Sequence, residues 1–189
     1  MFLKETVFKR LAKEAYKGDG LYMARLKNEA LMIGGEWWNI QINDEAITNK
    51  MKAAIIELTG DIPDKGNWIY REKVITAEFA PGEIAKTLEA TYSESRVPVE
   101  DTKLIREDKG YLKRAFITED GSVYCVFEET MDLITTKNLQ SGEAMPEKPT
   151  VVKHEEKSYM TWENNYCRLT VTCQTLSPEL EKAARGLCS

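Results

Sequence analysis

Apolar residues recur at three- and four-residue spacing over positions 4–17, where Val7, Phe8, Leu11, Ala12 and Ala15 share one side. This spacing predicts a helix. Gly18-Asp19-Gly20 stops it, with Gly18 placed for a left-handed C-terminal cap. The period then drops to two. Positions 21–26 and 30–33 read as short strands joined at Lys27-Asn28-Glu29, and a third strand follows Gly34-Gly35 at 37–42. In that strand Trp38, Ile40 and Ile42 alternate with Trp37, Asn39 and Gln41, so one face is apolar and the other polar.

A second helical stripe, Ile47, Met51, Ala54, Ile55 and Leu58, starts from a cap at Asp44 or Thr48 and ends at Gly60. The stretch 60–66 is a loop by composition, and 67–79 reads as extended. Pro81 opens a third helix with Ile84, Ala85, Leu88 and Tyr92 inward. Beyond Pro98 the pattern is a meander: 103–106, then 111–118, a turn at Asp120-Gly121, and 123–128. Asp-Gly between two alternating runs is a strong hairpin signal. A closing hairpin, 159–162 and 166–175, turns at Asn164-Asn165, and Ser177-Pro178 begins a short last helix by placing a cap and a first-turn proline together.

This order predicts an α+β fold, mainly antiparallel sheet with three to four helices. It divides into a main α+β domain over 1–136, a polar loop or linker over 137–157, and a C-terminal hairpin and helix over 158–189 that packs on the main domain. Glycine-rich β-α-β turns are missing, which disfavours a doubly wound nucleotide fold.

Length and composition sharpen this only slightly. With 189 residues, 42% hydrophobic and 30% charged, the chain can bury a core without staples. No apolar run approaches the ~20 residues needed to cross a bilayer. Charges at Lys4, Glu5, Lys9 and Arg10 interrupt any signal-peptide pattern, so a cytoplasmic protein with no membrane association is expected. The four cysteines, Cys125, Cys167, Cys173 and Cys188, contain no C-x-x-C and accompany a single histidine. Reduced thiols packed in strands, no metal and no cofactor are therefore expected.

Charge changes the functional picture more. Residues 1–60 carry 9 basic and 8 acidic side chains, 61–136 carry 10 and 16, and 137–189 carry 7 and 7. The acidic middle points to another protein with a basic surface as partner. Its interface candidates are Glu119, Asp120, Glu128, Glu129 and Asp132, together with Trp37, which the strand period turns away from Trp38. A nucleic-acid alternative rests on Lys9, Lys13 and Lys17, recurring every four residues with Arg10 alongside, a stripe suited to phosphates.

Catalytic patterns are sparse. His154 lies in a charged stretch expected to be exposed, whereas a catalytic histidine needs an orienting neighbour and a pocket that excludes water. The loop at 60–66 lacks the Gly-Lys-Ser/Thr ending of a phosphate cradle. Asp64, Asp101 and Lys103 loosely resemble the PD-(D/E)xK nuclease pattern, which implies carboxylates holding a metal and a lysine assisting water. In size and composition the chain resembles accessory proteins of phages and mobile elements, including inhibitors of host defence nucleases. In element order, over about the first 130 residues, it is similar to one domain of a sliding clamp. The expectation is a non-catalytic protein-binding accessory protein; a clamp-like DNA-processing accessory and a carboxylate-based metal-dependent nuclease are the alternatives.

Overall fold

In the computed structural model the described residues are 1–18, 20–26, 28–70, 73–76, 96–135, 137, 139 and 142–187. Among them the chain is α+β and dominated by antiparallel sheet. The helices are α1 (Glu5–Lys17), α2 (Asn49–Thr59), α3 (Glu129–Leu133) and α4 (Pro178–Gly186). The first four strands are β1 (Tyr22–Arg25), β2 (Leu31–Gly34), β3 (Trp38–Ile42) and β4 (Asn67–Tyr70). There follow β5 (Lys73–Thr76), β6 (Val97–Asp108), β7 (Tyr111–Thr118) and β8 (Val123–Phe127), then β9 (Thr150–His154), β10 (Lys157–Glu163) and β11 (Cys167–Thr172). The helix expected after Pro81 falls outside the described residues, as does Cys188. No helix among the described residues is long and apolar enough to cross a membrane.

The strands form one sheet in the order β5-β4-β1-β2-β3-β11-β10-β9-β6-β7-β8. Most sequence neighbours pair through hairpins, and three longer-range pairings do the rest. β4 lies beside β1, with Tyr70 opposite Tyr22. β11 inserts beside β3, with Leu169 opposite Ile40, and β9 meets β6 only at Val97 and Pro98. Beyond β9 the sheet bends so far that Cys125 of β8 bridges Gln174, just past β11, with the Gln174 N–H donating to the Cys125 carbonyl at 2.8 Å. β8 thus approaches the chain leaving β11 at the far end of an open sheet, joined there by this bridge and by the Lys113 ammonium, which donates to the Thr175 carbonyl at 3.0 Å.

The main core lies where α1 and α2 cover the concave side. Phe2, Phe8, Met23, Ile33, Ile40 and Phe116 are all fully enclosed there. Val7, Phe8, Leu11 and Ala12 of α1 point inward as the helical spacing requires. A second, smaller core forms where Leu180 and Ala184 of α4 pack on Ala115, Ile117, Val123 and Cys125.

Local rules hold at several turns. The Thr48 hydroxyl accepts the Met51 N–H at 3.2 Å and caps α2, while Asp44 starts a short 3-10 turn instead. Gly60 ends α2 at φ 82°. Gly121 takes φ 81° in the β7–β8 turn. At Asn164 the side-chain oxygen accepts the N–H groups of Tyr166 and Cys167, which builds the last hairpin turn.

Three expectations need correcting. Gly18 ends α1 at φ −84°, not in the left-handed region: its N–H still makes the helical bond to the Glu14 carbonyl, and the chain turns back later, where the Gly20 and Leu21 N–H groups both reach the Ala15 carbonyl. The strand expected at 103–106 belongs to the 12-residue β6, whose exposed outer part is too polar to show a strand pattern. The stretch 137–157, read as a polar loop, contains β9, whose Val151 and Val152 are buried between β10 and β6. His154 is accordingly the last residue of a strand, opposite Lys157.

Candidate functional site: an aromatic groove with an acidic rim

Glu36 and Trp37 form the bend between β2 and β3. The carbonyl of Trp37 accepts the Thr172 N–H at 2.8 Å, which anchors the bend to the end of β11. Across the Cys125–Gln174 bridge β8 ends at Phe127, paired with Lys113 of β7, and β7 begins at Tyr111. Three rings consequently converge. Trp37 meets Phe127 edge-on, with centroids 5.2 Å apart at 73°, and Tyr111 lies 5.4 Å from Phe127 at 53°. Such separations suit offset and edge-to-face packing. Tyr111 is nonetheless 61% exposed, so its face is presented to solvent rather than spent in the core.

These rings wall a groove of about 770 Å3, within the size range of ligand sites. Its floor is the chain leaving β11, Cys173 to Thr175, and its rim carries Glu36, Glu129 and Glu156 with one ammonium, Lys157. Below the floor the buried Lys113 ammonium donates to Asp108 at 2.6 Å and to the Thr175 carbonyl at 3.0 Å, so that charge is already satisfied. Glu129 pairs with Arg10 of α1 at 3.0 Å. Glu36 and Glu156 form no ion pair among the described residues. Trp37 also walls a second, shallow cleft on its other side, against Ala15 and Gly20.

The residues singled out by sequence scatter. Trp37 and Glu129 come together in the groove. Glu128 turns away and is gripped by Arg114. Asp120 is committed to its own turn, where it accepts the Thr118 hydroxyl and the Ser122 N–H; these hydrogen bonds hold its carboxyl below the usual range. Glu119 is exposed at the same turn and Asp132 is exposed on α3. On α1, Lys9 pairs with Glu57 of α2 at 2.6 Å and Arg10 with Glu14 and Glu129, while Lys13 and Lys17 are exposed. Half of the basic stripe is therefore matched by carboxylates of neighbouring helices.

The nuclease-like residues are likewise occupied. Asp101 takes Lys103 at 2.5 Å and Arg114 at 3.1 Å. Partial burial pulls its carboxyl upward, but the Lys103 hydrogen bonds and the Arg114 charge outweigh this and hold it below the usual range. Asp64 is exposed in its loop. Among the described residues no three His, Cys, Asp or Glu side chains are grouped to hold a metal ion. Burial pushes the Cys125 thiol up to about 11 and those of Cys167 and Cys173 further still, so all three are thiols, not thiolate nucleophiles, near neutrality.

Sequence reasoning missed Tyr111, Phe127, Glu36 and Glu156. Phe127 falls on the same alternating face as Val123 and Cys125, both buried, so nothing local distinguishes it from a core position. Tyr111, following the turn at Gly110, carried the only local signal: an aromatic at a hairpin mouth, where a strand is least covered. No family model, no curated protein and no solved structure matches this chain.

Proposed function

We propose that this chain is a non-catalytic binding protein, an accessory protein of the kind carried by phages and mobile elements, and that it engages a protein partner with a basic surface through the Trp37–Tyr111–Phe127 groove. One observation carries the reading: an aromatic wall, with Tyr111 exposed and Trp37 and Phe127 half-buried, stands beside two carboxylates, Glu36 and Glu156, that have no cation of their own among the described residues. Rigid aromatic side chains supply large contact area at small entropic cost and anchor protein interfaces. Carboxylates at the rim select a basic partner and speed its encounter.

The test is capture from the native cell extract, with and without nuclease, by the wild-type chain and by Trp37→Ala and Tyr111→Ala. A stoichiometric, nuclease-resistant protein partner lost from both variants supports the reading. Capture that vanishes with nuclease transfers the role to Lys13 and Lys17 on α1. Capture indifferent to both substitutions removes the groove from consideration.

A further inference from the structure

Resting on that reading, we infer that the groove takes an arginine side chain of the partner. The chemistry of the walls narrows the occupant. An aromatic face attracts a cation held over it. A guanidinium is planar, more weakly hydrated than an ammonium, and stacks on rings while its edge keeps five donors free. Tyr111 and Trp37 flank Phe127 at centroid separations of 5.4 and 5.2 Å, and Tyr111 is 61% exposed, so a flat cationic group can lie against its ring.

The donors of that group have acceptors waiting. Glu36 and Glu156 stand on the rim from two different turns, and the floor offers the polar side chains of Thr172 and Gln174. Carboxylate and guanidinium match as two parallel hydrogen bonds, which a lysine ammonium cannot reproduce. At the same rim Arg10 already reaches Glu129, through one hydrogen bond at 3.0 Å. Stacked nucleobases would also suit three rings, but their phosphates would meet the carboxylates of Glu36 and Glu156, unpaired among the described residues, with Lys157 as the one ammonium of the described rim. That approach is less favourable for a polyanion than for a cation.

The probe is a short peptide, Gly-Ser-Gly-Arg-Gly-Ser-Gly with blocked ends, beside counterparts carrying lysine or citrulline at the central position. Each is titrated into the full chain and followed by calorimetry and by tryptophan fluorescence. The arginine peptide binds; the lysine peptide is weaker; citrulline, which keeps the shape and loses the charge, is weaker by about tenfold or more. Glu36→Gln with Glu156→Gln reduces arginine affinity about tenfold and flattens its salt dependence, and Tyr111→Ala, at an exposed position, reduces it without unfolding the chain. Equal binding of arginine and citrulline peptides, or tighter binding of oligothymidylate than of the arginine peptide, overturns the inference. No peptide binding, together with a captured protein that Trp37→Ala still loses, also overturns it and leaves the docking groove standing. Capture unaffected by Trp37→Ala and Tyr111→Ala removes both.

Discussion

Arg114 and Glu128 form a two-pronged ion pair, with Nε 2.6 Å from Oε2 and Nη2 2.5 Å from Oε1. The guanidinium also donates to Asp101 at 3.1 Å, so it ties β6 and β7 to the residue that opens α3. The hydrogen bonds from Arg114 to Glu128 raise its already high pKa, against the opposing effect of partial burial. Both side chains are largely covered, which makes this pair less screened than a surface one.

Glu128→Gln keeps the shape and removes the charge, leaving Arg114 with Asp101 alone. The expected loss is about 1–3 kcal/mol, read as a lower urea midpoint with an unchanged slope. Glu119→Gln, exposed at its turn, serves as the control and stays within about 0.5 kcal/mol.

Gly34 has no room for a side chain. A Cβ there would lie 2.3 Å from the Tyr22 hydroxyl and 2.8 Å from the Trp38 carbonyl. Gly34→Ala is expected to cost about 1–3 kcal/mol by overpacking, and Tyr22→Phe in the same chain should not relieve it, because the ring carbon Cζ stays 2.4 Å from the new Cβ. Thermal melts of the two single variants and the double variant give the coupling.

Tyr22 itself sets an alkaline limit. Burial pushes its phenol up to about 12, and its hydroxyl accepts the Asn39 amide at 2.9 Å. The unfolded chain loses this proton near pH 10, while the folded chain keeps it. The protonated state therefore contributes its full stability below about pH 10, and that contribution is lost as pH rises through the folded value. Tyr22→Phe should show a smaller fall in urea midpoint between about pH 9.5 and 11.5, alongside a lower midpoint at neutral pH because the buried Asn39 amide loses its partner.

Three thiols should be silent in the native state. Cys125 and Cys167 are buried, Cys173 is mostly so, and burial raises all three. In a Cys188→Ser background, iodoacetamide at pH 8 should modify none of them on the timescale of a free thiol, and urea should release all three. Rapid native labelling at Cys173 would mean that the groove floor opens.

Thr130 offers a gain. Its hydroxyl is fully buried and has no hydrogen-bond partner among the described residues. Thr130→Val keeps the shape and removes a desolvated polar group, so stability should rise by about 1 kcal/mol. A fall of that size in the urea midpoint would refute this.

By itself the sequence determined the elements whose signal is local. The helical stripe of Val7, Phe8, Leu11 and Ala12, the caps at Thr48 and Ser177, and the Asp120-Gly121 turn each encode their geometry within a few residues, and α1, α2, α4 and the β7–β8 hairpin appear there. It also singled out Trp37, though by a strand period of two that does not reach it: Trp37 lies in the bend before β3, which begins at Trp38. What only the tertiary structure decided is which elements meet. β9 has only two buried valines in a polar stretch, so its place between β10 and β6 follows from pairing that no local pattern records. The groove depends on the same long-range pairing. Trp37, Tyr111, Phe127 and Glu156 belong to four separate turns and strand ends, and they converge because β11 inserts beside β3 and the sheet curves until Cys125 meets Gln174. Conversely Glu128, Asp120 and Asp101, which looked available as isolated letters, are bound by Arg114, Thr118 and Lys103. Whether a charge is free is a property of its neighbours in space, and the register of the sheet chose those neighbours.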